Sequence, residues 1–165
     1  MDSVKEDFGK LFNSPLEAGI RAVVVLEKLR PEAVDLAAMV LLDHVVVHTA
    51  DLGGPPSLHP DLQGRKGELL VRRRLVERSL DLMRRCHLVD QEIGDNGVLY
   101  RASDEAAGYI ELLETVYSEK LKHCADWIAD QVKSSSKVRF KIFVRDQIGD
   151  WTDAFSTVGG NSPRG

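Results

Sequence analysis

A long basic segment that runs directly into two short strand-like runs constrains the fold of this chain more than any other feature. Between residues 65 and 85 the apolar side chains recur every three or four positions, which is typical of a helix with one buried stripe. An apolar hinge at residues 88–89 breaks that rhythm. Residues 90–93 and 98–101 then flank Gly94-Asp95-Asn96-Gly97, which tolerates the positive φ angles of a tight turn. The sequence therefore predicts a helix that leads into a β-hairpin.

Two further helices are predicted upstream of the basic segment. The first begins at Asn13 or Ser14, which supplies the cap before Pro15, and it runs to residue 30. The second spans residues 32–49 and is apolar almost all round, so it is expected to form the centre of the core. Prolines and glycines make residues 51–60 a loop. Three helices followed by a hairpin predict a mainly α fold with a small β-hairpin, a winged-helix-like domain over residues 14–102.

The two ends of the chain carry amphipathic segments beyond the needs of that domain. Residues 103–132 are predicted to form one long helix, the start of a helical C-terminal arm over residues 103–158, and a flexible tail follows at 159–165. Residues 1–13 are too short for a stable isolated helix and are predicted to be an N-terminal docking segment. Partner docking is expected through the large apolar side chains of both ends: Phe8, Leu11, Phe12, Phe140, Phe143, Trp151 and Phe155.

The basic helix carries a local charge opposite to that of the whole chain. Residues 65–86 hold eight Lys or Arg side chains against three carboxylates, a net +5, in a protein of net charge −4. Such a cluster can meet phosphates or an acidic protein, and its acidic neighbours at helical spacing equally fit ordinary surface ion pairs. The candidate contacts to DNA or a partner are Arg65, Lys66, Arg72, Arg73, Arg74, Arg78, Arg84 and Arg85.

Polar residues at the end of the second helix form a second candidate cluster. Histidines and aspartates four apart on a helix can share a metal, but here they lie among core residues, which favours hydrogen bonding that fixes the helix end and the following loop. The predicted structural polar network contains Asp43, His44, His48, Asp51 and His59, with no metal and no other cofactor.

The sequence contains no glycine-rich phosphate loop, no nucleophile elbow and no zinc-protease helix, so we expect no catalytic activity.

The two cysteines, Cys86 and Cys124, lack metal-ligand spacing and are expected to be buried thiols. The longest apolar run, residues 33–47, is short and contains charges, and no signal segment is evident, which predicts a cytoplasmic protein without a membrane partner.

Several strings within about residues 11–130 resemble one family, the small middle component of bacterial ABC-three-component systems, which is similar to the accessory subunit of Lamassu-type antiphage defence. They are Phe12-Asn13-Ser14-Pro15-Leu16-Glu17 with Gly19 and Arg21, Leu42-Asp43-His44 with Val47-His48 and Asp51, Ser57-Leu58-His59-Pro60, the nine residues from Arg65 to Arg73, and Tyr100-Arg101-Ala102.

The resemblance implies a non-enzymatic subunit that works with a coiled-coil ABC ATPase of the SMC type and with an effector, often a nuclease, to sense foreign DNA. Duplex DNA is a candidate contact within such a complex. The alternative function is a free-standing winged-helix transcription regulator, which the basic helix and hairpin also fit.

Overall fold

The computed structural model describes residues 14–59, 65–95 and 97–134, without the side chains of residues 65–70. Five α-helices and one hairpin follow each other in this part of the chain: α1 (Pro15–Leu29), α2 (Leu36–Val47), α3 (Arg65–Arg85), β1 (Val89–Gly94), β2 (Gly97–Ala102), α4 (Ala106–Glu111) and α5 (Val116–Ser134). A short 3-10 helix, Thr49–Leu52, follows α2. The predicted mainly α fold with a β-hairpin is confirmed.

Helix α1 lies at the centre of the core. Ser14 caps it by accepting a hydrogen bond from the backbone N–H of Glu17 at 3.2 Å, and Pro15 occupies the first turn, as predicted. Residues 21–26 are all buried. This helix contacts every other α-helix of the described residues and also β2. Helix α2, expected to be the centre, also contributes its buried side chains to the same core.

The second helix begins later than predicted, because residues 32–35 are not helical. The backbone of Val34 pairs with that of Tyr100 through two hydrogen bonds of 2.9 and 2.7 Å, so an antiparallel bridge extends the edge of β2. Asp35 then caps α2 by accepting from the backbone N–H of Ala38 at 2.8 Å. A carboxylate at the cap position, and not the apolar pattern, fixes where α2 begins.

The hairpin forms at the predicted position, with an antiparallel register that pairs Val89 with Ala102 and Ile93 with Val98. Gly97 has φ +112°, which only glycine adopts without strain. One end of the hairpin is anchored by the buried Val89 and Ala102, while Ile93 near the turn is 87% exposed. The hairpin therefore projects from the core with an apolar side chain near its tip.

Helix α3 ends in a Schellman motif, which turns the chain into the hairpin. His87 adopts a left-handed conformation with φ +61°, and its N–H donates to the carbonyl of Arg84 at 3.0 Å. The N–H of Leu88 donates to the carbonyl of Met83 at 2.9 Å. The apolar hinge of the sequence is thus a helix cap in which a histidine occupies the position usually held by glycine.

Replacing His87 with glycine should stabilise the protein by about 0.5–1 kcal/mol, because the left-handed conformation costs an L-residue about 1–2 kcal/mol and glycine recovers part of it. The thermal midpoint should rise by about 1–4 °C. Circular dichroism melting of His87→Gly beside His87→Ala tests this, since alanine carries the same backbone penalty. An equal rise in both variants would show that loss of the imidazole, and not the backbone, is responsible.

The region after the hairpin does not form the single long helix that was predicted. Helix α4 ends at Glu111, and Thr115 starts α5 by accepting from the backbone N–H of Ser118 at 3.1 Å. Lys122 donates to the carbonyl of Leu113 at 2.7 Å and fastens the intervening turn. Leu121, Cys124 and Ile128 of α5 are buried in the common core, so the arm is part of the domain as far as Ser134.

Both cysteines are free thiols in different environments. Cys124 is buried, with its Sγ 3.5 Å from Thr49 Oγ1. Cys86 follows α3 and is exposed, so the prediction of a buried thiol is wrong there. On either side of Cys86 in the sequence, Met83 and Val89 are buried in the core, while Cys86 itself faces solvent.

Candidate functional site

A carboxylate held between two arginines lies at the meeting point of α1, α2 and α3. Asp43 Oδ1 accepts from Arg21 Nε at 2.9 Å, and Asp43 Oδ2 accepts from Arg72 Nη1 at 2.6 Å. Arg21 and Asp43 are each 1% exposed, and Arg72 is 7% exposed. Because each helix contributes one member, this triad fixes how the three helices cross.

The two arginines keep the Asp43 carboxylate ionised in spite of its burial. Burial alone would raise the pKa of Asp43, but the charges and hydrogen bonds of Arg21 and Arg72 outweigh burial and hold that pKa below its ordinary value. Burial likewise opposes the charge of Arg21, and Asp43 restores it, so the pKa of Arg21 is raised. The triad is therefore a permanently charged cluster inside the core.

His59 and Tyr117 lie beside the triad. His59 Nε2 is 3.1 Å from the Tyr117 hydroxyl, and the two rings stack with centroids 6.2 Å apart. Burial disfavours the imidazolium and the nearby charge of Arg21 adds to that effect, which together lower the pKa of His59 to about 4. Burial also raises the pKa of Tyr117. Both groups are therefore neutral at physiological pH.

The loop after α2 is tied down so that it presents His59 to the triad. Thr49 Oγ1 donates to the carbonyl of Pro55 at 2.8 Å, and the backbone N–H groups of Leu58 and His59 both donate to the carbonyl of Val47. Gly54 packs on the face of Trp127, where an added Cβ would come within 2.8 Å of the indole ring. This close approach requires glycine and clamps the loop against α5.

The structure places Asp43 and His48 of the predicted polar network close enough to act electrostatically on His59. Asp43 belongs to the triad and His59 lies beside it, whereas Asp51 is exposed on the 3-10 helix. The rings of His44 and His48 lie next to each other, with centroids 4.6 Å apart. Within the described residues, no group of three His, Cys, Asp or Glu side chains is arranged to hold a metal ion.

Sequence reasoning missed Arg21, Tyr117 and the role of Arg72 in this cluster. Arg21 follows Gly19-Ile20 and precedes a run of alanine, valine and leucine, and a single charge in so apolar a stretch is a usable signal of a buried ion pair. The prediction that Arg72 contacts DNA or a partner needs correction, because Arg72 points inward and binds Asp43.

The remaining arginines of α3 divide into two groups. Arg84 and Arg85 both pair with Asp81, so the +5 of the helix overstates the charge it presents to a partner. Arg73, Arg74 and Arg78 are exposed. These three form what we call the basic face. Of the other predicted contacts, Arg65 and Lys66 lie in α3 but their side chains are outside the described residues.

A groove of about 460 Å³ runs between α3 and the hairpin. Its lining mixes both charges: Arg74, Glu77, Arg78, Asp81, Arg84, Gln91 and Tyr100. The hairpin itself carries Asp90, Glu92 and Asp95 against one arginine, Arg101, which pairs with Glu92 at 2.9 Å. The hairpin is therefore net acidic and would repel a phosphate backbone.

The predicted docking residues Phe8, Leu11, Phe12, Phe140, Phe143, Trp151 and Phe155 lie outside the described residues.

Comparison with known protein families identifies the family of this chain. A family model described as ABC-three component (ABC-3C) system Middle Component 2 matches residues 11–154. The chain belongs to this family. The resemblance seen in the sequence is thereby confirmed for the ABC-3C middle components. No curated protein and no solved structure matches the chain.

Membership makes this middle component an accessory subunit of a defence system that interacts with the other components of that system. The strings that carried the resemblance meet in space, because Arg21, Asp43, His59 and Arg72 come from four of them and gather at the triad. Among the described residues, no helix is both long and apolar enough to cross a membrane.

Proposed function

We propose that this middle component is a non-catalytic, cytoplasmic subunit that docks onto a coiled-coil ABC ATPase of the SMC/Rad50 type. The complex is of the Lamassu type, senses foreign DNA and controls an effector, often a nuclease. The family match over residues 11–154 carries the proposal. It is supported by the burial of the triad, in which Arg21 and Asp43 are each 1% exposed, because buried charges of this kind hold helices together and are closed to a substrate.

The element order supports a winged-helix architecture as part of the proposal. A helix, a bridging segment at Val34, two helices and a hairpin follow one another as in that fold. The distribution of charge favours protein docking over DNA reading, because the hairpin is acidic and two arginines of α3 are engaged with Asp81.

Co-expression with the ATPase of its own system tests this function. The two proteins should elute together from a sizing column at low micromolar concentration. Separate elution at 150 mM salt contradicts the proposal.

The second candidate is a free-standing DNA-binding regulator, and the basic face with the adjoining groove favours it. On this hypothesis the chain alone shifts a labelled duplex at 50 mM salt. The triple variant Arg73→Glu, Arg74→Glu and Arg78→Glu should then abolish the shift, because three phosphate contacts are replaced by repulsion. Arg72 is kept intact because it holds Asp43 in the core.

The triple variant also separates the two functions. A docking subunit that uses another surface keeps its ATPase partner when these three arginines are reversed, whereas a DNA-binding regulator loses its ligand. The absence of any shift of the wild-type chain at 50 mM salt rejects the second candidate.

A further inference from the structure

An exposed apolar pair interrupts an acidic stretch at the junction of α4 and α5. Leu112 and Val116 are 78% and 73% exposed. Residues 104–119 contain five carboxylates and no lysine or arginine, and two of the five are paired, Asp104 with Arg30 and Glu119 with Lys122. Glu105, Glu111 and Glu114 are exposed and make no ion pair with the part of the chain that the structure describes. We call Leu112, Val116 and these three glutamates the acidic junction.

The acidic junction is a fixed structure, because both sides of the turn are fastened. Thr115 accepts from the N–H of Ser118 at 3.1 Å, and Lys122 holds the carbonyl of Leu113 at 2.7 Å. Just beneath the surface, Ile110 and Leu121 are buried in the core. Leu112 and Val116 are thus held outward by a rigid frame, so their exposure is not relieved by a small local movement.

A third apolar residue lies at the same end of the domain. Arg21 and Tyr117 interact between α1 and α5, and seven residues further along α1 Lys28 Nζ lies 2.9 Å from Asp126 Oδ1. These two links make α1 and α5 parallel neighbours. The first turn of α1 therefore lies at the end that carries the acidic junction, and Leu16 in that turn is 53% exposed.

We infer that the acidic junction is the docking surface for a basic amphipathic segment of the ATPase, one whose apolar side chains cover Leu112 and Val116 while lysines or arginines meet Glu111 and Glu114. The inference rests on the proposed docking function and names the surface that performs it. The negative charge of the acidic junction favours a positively charged partner segment. Nucleic acid and anionic lipid are both repelled by Glu105, Glu111 and Glu114, and a neutral helix would place no basic side chain opposite these glutamates.

The basic face lies on a different element and serves as an internal comparison. Arg73, Arg74 and Arg78 are on α3 and carry the opposite charge. A partner segment that is attracted to the acidic junction is repelled by them. Charge reversal at the acidic junction should therefore weaken ATPase binding, whereas charge reversal at the basic face should not.

The test measures the binding of the full-length chain to the ATPase of its own system by biolayer interferometry at 150 mM salt. One variant carries Leu112→Asp and Val116→Asp, and a second carries Glu111→Lys and Glu114→Lys. The matched controls are on the hairpin, Ile93→Asp for the apolar change and Asp90→Lys with Asp95→Lys for the charge reversal. We expect each junction variant to bind at least tenfold more weakly, and each control to bind within twofold of wild type.

Unfolding midpoints equal to that of wild type establish that the junction variants fold, as expected for substitutions of exposed residues. If wild type binds and both junction variants bind as tightly, this inference is wrong while the docking function stands. If wild type does not bind the ATPase, both are wrong. Light scattering of the isolated chain tests a second copy as the occupant: a dimer mass that falls to that of a monomer in the junction variants would overturn the inference.

Discussion

Replacing Asp43 with alanine should lower the free energy of unfolding by about 3–5 kcal/mol, because it removes the buried carboxylate that both guanidinium groups bind. Arg21 and Arg72 converge on that single carboxylate from α1 and α3. Urea denaturation followed by circular dichroism at pH 7 measures the change. A loss below about 1 kcal/mol would show that the arginines find other partners, and that the triad does not hold the helices.

Asp51→Ala is the matched control for this substitution. The sequence places Asp51 with Asp43 in one polar network, but in the structure Asp51 is exposed on the 3-10 helix. Its removal should change the free energy of unfolding by no more than about 0.5 kcal/mol. The triple variant Arg21→Met, Asp43→Leu and Arg72→Met provides a second comparison. Removing all three charges together should recover most of the loss, since the penalty comes from unpaired charge.

A second large effect is expected when the pH falls from 6.5 towards 4, where the free energy of unfolding should decrease by about 2 kcal/mol. The pKa of His59 is about 4 in the folded protein against an ordinary 6.5. The unfolded chain therefore takes up this proton first, and folding is penalised increasingly as the pH falls through that window. Above pH 6.5 the titration of His59 no longer changes the free energy of unfolding. The magnitude allows for solvent screening, since the ring is only partly buried.

His59→Gln should remove the pH dependence between 6.5 and 4 while keeping a hydrogen-bonding group near Tyr117. The control is His123→Gln on the exposed side of α5, which should retain the dependence. Urea midpoints at half-unit pH intervals measure both. Persistence of the slope in His59→Gln would assign it to other groups. The contribution of Asp43 is lost only at lower pH, because its pKa is below the ordinary 3.8 and its stabilisation disappears as the pH falls through that lowered value.

Local chemistry made several elements predictable. The start of α1 was predictable from Ser14-Pro15, and the hairpin from Gly94-Asp95-Asn96-Gly97, because each signal acts within four residues. The break at Thr115 was missed because the apolar spacing continues across it. The cap of α2 at Asp35 was missed because Val34 pairs with Tyr100, which is distant in sequence. Element boundaries set by long-range pairing cannot be read from periodicity.

The same distinction separates what the sequence could and could not predict about the triad. Asp43 was recognised as a polar residue on an apolar helix, and a structural use was preferred to a metal. Its partners were not found, because nothing in the sequence links position 43 to positions 21 and 72. Net charge was misleading for Arg72, which counts towards the +5 of α3 but lies 2.6 Å from a carboxylate inside the core.

The parallel packing of α1 and α5 separates the two ends of the described domain. The chain enters α1 at Ser14 beside the acidic junction and leaves α5 at Ser134. With 19 residues in α5, this places the exit about 28 Å from the entry end. The described helices thus form a spacer that holds the points of entry and exit of the chain about one length of α5 apart.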